Sequence, residues 1–303
     1  MKHLFLFIFC FAFIFQVLGQ QNARYFYERG NFKFNQKLYT EAIKEYNTAI
    51  KMNSKDALSY NNRGLSKFNL REFFNAIADF EKAADIDPKF TDAYINNGLA
   101  KFNLHDYKGA IAVYSKAIEV SPKNTVAYIY RGYSKINLGQ HKQAILDFDK
   151  AIEYDPKLKD AYFNRAFANN GLNEIDLAIR DYDKVLTLDS LAASAYFNRG
   201  NAKLLVEDYV GAIEDFTRML MLSPNDVGGI FNRGFARVSI RDYNGALTDY
   251  DDAIDLNSKN GDFYFYRAIL RSKMKDKSGA CLDLKKSKDL GCTLNTNEID
   301  ECK

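Results

Sequence analysis

The chain has 303 residues, and its 42 lysines and arginines against 39 aspartates and glutamates give a formal net charge of +3. That near-neutral balance, with no basic cluster standing out, gives no support to binding nucleic acid or a membrane surface through charge. A hydrophobic content of 47% is ample for a continuous core.

In chain order, residues 1–19 come first and differ from the rest. Met1-Lys2-His3 is a short positive start, residues 4–15 are wholly apolar, and Val17 and Gly19 stand three and one residues before a cut at Gln20. This order predicts a secretory signal peptide over 1–19. An uncleaved anchor is the rival reading, but residues 4–18 span only ~22 Å at 1.5 Å per residue, short of a hydrocarbon core of ~30 Å. The expected localisation is therefore exported, periplasmic or secreted, with membrane anchoring by the uncleaved segment as the alternative.

From residue 20 to residue 294 one period rules. Alanine recurs every 34 residues at Ala42, Ala76, Ala110, Ala144, Ala178, Ala212, Ala246 and Ala280, with no insertion between them. Glycine runs in phase at Gly30, Gly64, Gly98, Gly132, Gly200 and Gly234, and all four prolines (Pro88, Pro122, Pro156, Pro224) share another phase. A fixed period of this length means one supersecondary unit stacked repeatedly. The eight copies are 23–56, 57–90, 91–124, 125–158, 159–192, 193–226, 227–260 and 261–294. Within each, spacings of three, four and seven predict helix A over positions 1–14 and helix B over positions 18–31, with proline at 32 ending B. Small residues at 8 and 20 let the paired backbones approach, and aromatics at 4, 17 and 24 fill the spaces beside them.

This pattern resembles the tetratricopeptide repeat, on residues such as Tyr196, Arg199, Gly200, Tyr209, Ala212, Phe216 and Pro224 of the sixth copy. The resemblance covers about nine-tenths of the chain. It implies an all-α, right-handed superhelical solenoid whose A helices line a concave wall where ligands lie.

A correlation inside the chain supports the pairing of A with B. Position 7 is arginine in every copy but the third, and position 23 of those same copies is Glu45, Asp79, Asp147, Asp181, Asp215, Asp249 or Asp283. The third copy has Asn97 and Val113, losing both charges together. An exposed A-to-B ion pair is expected, contributing ~0–1 kcal/mol and fixing register more than stability.

Facing the concave wall, position 6 carries Asn62, Asn96, Asn164, Asn198 and Asn232. An amide is both donor and acceptor, so such a row suits the backbone of an extended peptide, and it is similar to the asparagine ladder in the repeats of O-linked N-acetylglucosamine transferase. Bonding only to neighbouring helices is the other use of these amides. Position 5 adds Phe163, Phe197, Phe231 and Phe265, an apolar stripe on the groove side or else inter-repeat packing. No copy has lysine or arginine at positions 5 and 6, so capture of a C-terminal carboxylate in the manner of some chaperone-binding repeats is not supported.

At the far end, 295–303 reads as a short capping tail. Cys281 and Cys292 are separated by ~16 Å of helix, beyond the ~7 Å reach of a disulfide. A tail folding back as a short helix brings Cys302 beside Cys281, and an oxidising compartment permits that bridge. Three buried or reduced thiols are the alternative. The three cysteines have too few companion ligands for a metal, and no cofactor is expected. Neither a nucleophile elbow nor a phosphate loop appears, and eight repeats with signal and tail leave no room for a catalytic domain, so the chain does not read as an enzyme. The reading is an exported scaffold that binds a protein or extended peptide along its groove. A self-associating structural protein, a homo-oligomer, and a carrier of a glycan or lipid are the alternatives.

Overall fold

The 34-residue period becomes a pair of helices in every copy. The computed structural model describes residues 22–292, and its regular structure there is α-helical throughout. The expected signal peptide, the capping tail and Cys302 lie outside the described residues. The helices are α1 (22–35), α2 (Tyr39–Met52), α3 (Ala57–Asn69), α4 (Phe73–Ile86), α5 (Thr91–Asn103), α6 (Tyr107–Val120), α7 (Thr125–Asn137), α8 (His141–Tyr154), α9 (Lys159–Gly171), α10 (Ile175–Leu188), α11 (Ala193–Leu205), α12 (Tyr209–Leu222), α13 (Val227–Ser239), α14 (Tyr243–Leu256), α15 (Gly261–Lys273) and α16 (Lys277–Asp289). Helix A thus ends one residue earlier than expected, and helix B both begins and ends one earlier. The chain divides after Pro156 into two compact units, α1–α8 and α9–α16.

Each A–B turn is closed by one residue in the left-handed region, always at position 15. Only the fourth copy places glycine there, Gly139 with φ 72°; the others use residues such as Arg71, His105 and Glu207 with φ near 60°. Helix starts are capped where the sequence supplies an oxygen. Asp56, Asn124, Asp226 and Asn260 accept from first-turn amides of A helices, and Asp106, Asp208, Asp242 and Asp276 do so for B helices.

Inside each pair the backbones approach as the small residues require. The position-20 alanines are fully or almost fully buried, and so are the position-24 rings of Tyr46, Phe80, Tyr114, Phe148, Tyr182, Phe216 and Tyr250. Six of those rings lie on the position-8 glycines, and the copy that holds Tyr182 has Ala166 there. A methyl group added at Gly98 would come within 2.4 Å of the Tyr114 ring. Between copies, Ala117 of α6 packs on Ala127 of α7, so small residues also set the spacing from one repeat to the next.

The A-to-B ion pair forms in the copies that carry both charges, but its environment differs from the exposed one expected. Asp79, Asp147, Asp181, Asp215, Asp249 and Asp283 are all buried, and each accepts a short fork from its arginine, as Arg199 donates to Asp215 at 2.5 and 2.9 Å. A second donor at position 11, one turn further along helix A, shares each of these six carboxylates. Lys67, Lys135 and Lys203 reach theirs at 2.7–2.9 Å, Arg237 and Arg271 at 2.8 Å, and Asn169 donates to Asp181 at 3.4 Å. The arginines also lie over the position-4 rings, Arg63 within 5.2 Å of the Tyr60 centroid and Arg199 within 5.7 Å of Tyr196. The second and the fourth to eighth repeats are therefore tied by a desolvated network rather than a surface pair. In the third copy, where both charges are gone, the buried Oδ1 of Asn97 has no partner among the described residues.

Candidate functional site

Within the units, successive A helices touch: α3 with α5, α5 with α7, and α11 with α13, while successive B helices make no comparably close approach. The A helices therefore gather on one side of each run and the B helices fan outward, which makes the A-helix side concave.

In the first unit the asparagines on that side bond to one another. Asn62 donates through Nδ2 to Asn31 Oδ1 at 2.9 Å and to Tyr27 Oη at 3.2 Å, and Asn61 donates to Asn62 Oδ1 at 3.1 Å. Asn96 donates to Asn61 Oδ1 at 2.9 Å, and Tyr46 Oη to Asn31 Oδ1 at 2.7 Å. The network spans three repeats and holds α1, α3 and α5 in register. Here the expected row is largely structural.

The second unit differs. Asn232 donates across the joint to Asn201 Oδ1 at 2.8 Å, again linking two A helices. Asn164 and Asn198 instead turn back on their own helices, donating to the carbonyls of Asp160 at 2.8 Å and Ser194 at 2.7 Å. Their Oδ1 atoms then stand as acceptors without a partner among the described residues. For Asn62, Asn198 and Asn232 the arrangement follows the residue at position 9 of the preceding copy; Asn96, behind Leu65, bonds instead to Asn61 at position 5. Asn31 and Asn201 offer an oxygen to Asn62 and Asn232, whereas Phe167 offers none to Asn198. That correspondence, 31 residues apart, was readable in the sequence and is absent from an argument on position 6 alone.

Of the four phenylalanines, Phe265 is buried against Ala268 and Leu284 and presents no groove surface. Phe163, Phe197 and Phe231 are half-buried, each with an edge or tilted contact to a core ring: Tyr182 at 5.6 Å, Phe216 at 6.0 Å and Tyr250 at 5.4 Å. The exposed aromatics of this side lie one turn further along, Phe167 in α9 and Phe235 in α13.

Where α9 and α11 begin, a cleft of about 320 Å³ opens. Its floor is Phe163, the buried Val185 of α10 and Ala192; its rim is Lys159, Asp160, Asp189 and Ser194. These rim residues occupy positions 1, 2 and 31, where polar side chains read as ordinary helix ends, so sequence reasoning passed over them. Lys159 Nζ meets Asp189 Oδ2 at 2.5 Å. That hydrogen bond, aided by the backbone N–H of Leu191, holds the Asp189 carboxyl below the usual range, and it raises the Lys159 ammonium above its own. Among the described residues Asp160 forms no ion pair, though its charge acts on the adjacent Lys159. The cleft is apolar below and acceptor-rich above.

Elsewhere, Cys292 donates through Sγ to Asp262 Oδ1 at 3.2 Å beside a second, more open cleft. Cys281 lies in α16, and its expected partner Cys302 is outside the described residues. Among the described residues no three His, Cys, Asp or Glu side chains are placed to hold a metal, and no helix is long and apolar enough to cross a membrane.

Among curated proteins, no sequence matches this chain. Solved structures match well. A tetratricopeptide repeat protein from Parabacteroides merdae superposes with TM-score 0.58 at 18% identity, over 81% of this chain and 96% of its own. YrrB, described as a tetratricopeptide repeat protein with an unusual peptide-binding site, gives 0.53 at 23% identity over 61% of this chain and 95% of its own. MamA gives 0.53 at 23% identity over 56% and 92%. At these identities the likeness shows the fold. Profiles of the tetratricopeptide repeat match residues 26–70, 57–90, 91–124, 126–158 and 171–227. With family profiles matched along both units and helix pairs in phase with them, the chain belongs to the tetratricopeptide repeat family.

Proposed function

We propose that this protein is an exported scaffold that docks an extended segment of a partner protein on the concave A-helix side of its second unit. The observation that carries the reading is the pair of outward acceptors, Asn164 and Asn198, standing beside the half-buried Phe163 and Phe197 and the exposed Phe167. Carbonyl oxygens fixed at one-repeat intervals suit the N–H groups of an extended backbone, and the rings supply apolar contact. YrrB shares the fold, and its description names a peptide-binding site. Export rests on the apolar segment at 4–15 behind a basic start, and it would place Cys281 and Cys302 where a bridge between them is permitted.

The test is a cross-linking capture from the native envelope or secreted fraction. The mature chain is compared with an Asn164→Ala, Asn198→Ala, Phe167→Ser variant whose helicity is checked first. A partner held by the mature chain and lost by the folded variant supports the reading. A partner held equally by both moves the binding surface elsewhere, and self-cross-links alone favour the self-associating alternative. Sequencing the exported protein from its N-terminus tests the cut before Gln20.

A further inference from the structure

We infer that the cleft between α9 and α11 is a side-chain pocket for a partner segment in which an aliphatic or aromatic residue stands next to a lysine or arginine. The inference rests on the docking reading above and gives it a chemical specificity.

Two observations select this occupant. The floor of Phe163, Val185 and Ala192 is apolar, and about 320 Å³ lies at the lower end of what ligand-sized clefts offer, enough for one large side chain and too small for an extended ligand. Around the rim the balance of charge is negative. Lys159 pairs with Asp189 and also feels the charge of Asp160, so one cation faces two carboxylates. Asn164 and Asn198, one turn further along the same two helices, each spend one amide hydrogen on the carbonyl of Asp160 or Ser194 and keep Oδ1 unpartnered among the described residues. A partner bringing another carboxylate would add a third negative charge around the single cation Lys159. A guanidinium or ammonium group beside the buried side chain would pair with Asp160 and reach the asparagine oxygens.

The pocket and the docking reading fail differently, which random phage-displayed peptides separate. Peptides selected on the mature chain are expected to share an apolar residue next to a basic one. A synthetic peptide of that consensus, followed by fluorescence anisotropy, is expected to bind about tenfold or more weakly to Ser194→Trp, which closes the mouth, and to Asp160→Lys, which reverses the rim. Both positions are exposed, so each variant should keep the parent's circular dichroism. Selection on Asp160→Lys is expected to move the consensus toward an acidic neighbour. If the selected peptides bind both single variants as well as the parent but are lost by the Asn164→Ala, Asn198→Ala, Phe167→Ser variant, the pocket is overturned and docking stands. If no peptide is enriched on the mature chain, both are overturned.

Discussion

Arg199 lies between two aspartates of successive repeats, meeting Asp215 of its own repeat at 2.5 Å through Nη2 and Asp183 of the preceding one at 2.5 Å through Nη1. The two carboxylates stand in different solvents. The side chain of Asp215 is 3% exposed and also holds Lys203 at 2.9 Å, whereas Asp183 is 53% exposed. Burial by itself would weaken the hold of Arg199 on its proton, but the two carboxylates outweigh it and the guanidinium is held firmly charged.

Removing the buried partner should therefore cost far more than removing the exposed one. Asp215→Ala takes the buried carboxylate from Lys203 and from one edge of the Arg199 guanidinium, leaving Arg199 only the exposed Asp183, and a loss of about 3 kcal/mol is expected. Asp183→Ala should cost less than about 1 kcal/mol. Urea denaturation followed by circular dichroism separates these values, and equal losses would show that depth of burial is irrelevant to the network.

Glycine to alanine inside a helix ordinarily stabilises by ~1 kcal/mol. At Gly98 the sign should reverse, because the new methyl group would lie 2.4 Å from Tyr114 Cε1 in a helix pair that has no slack. A net loss of about 1–3 kcal/mol is expected, read as a lowered melting temperature.

Burial pushes the hydroxyls of Tyr46, Tyr114, Tyr182 and Tyr250 well above the ordinary tyrosine range. Their folded values exceed the unfolded value of about 10, so the stability they contribute is fully present below that pH and is lost as pH rises through the folded values. An ultraviolet titration should then show the exposed tyrosines ionising first, with these four of the chain's twenty appearing only as helicity collapses. A single smooth titration with intact helicity would contradict the packing described.

The asparagines of position 6 should separate by role. Asn62→Ala breaks a chain of amides across three repeats and is expected to destabilise by about 1–2 kcal/mol. Asn198→Ala removes one bond within its own helix and should change stability by no more than about 0.5 kcal/mol while weakening peptide binding. Chemical denaturation and anisotropy together distinguish the two.

Most of the fold was legible because the alanines, glycines and prolines keep one frame, and a frame states which residues meet. It does not state how much water remains where they meet. The pairing of Arg199 with Asp215 followed from covariation along the chain, but the depth of Asp215 did not, nor did the sharing of such carboxylates with Lys135 and Lys203 at position 11. The groove was less legible for a related reason. An amide has two chemically different ends, and the direction in which Asn164 or Asn198 turns depends on what the adjoining helices offer. Phe265 shares its helical phase with Phe163 and Phe197, yet in the last repeat it packs on Leu284 and is lost to the core.

The partners of Arg199 both lie 16 residues away, one forward and one backward, and the same holds for Arg63 with Asp79 and Asn47, Arg131 with Asp147 and Ser115, and Arg267 with Asp283 and Asp251. A joint built from equal steps in both directions carries no record of which repeat it belongs to. Duplicating or excising one 34-residue block of coding sequence would leave every arginine with a carboxylate ahead and a polar side chain behind. Length in such a protein is open to change by recombination without any new contact having to evolve, whereas the cleft between α9 and α11 is shared by two unlike repeats and would survive only where both stay adjacent.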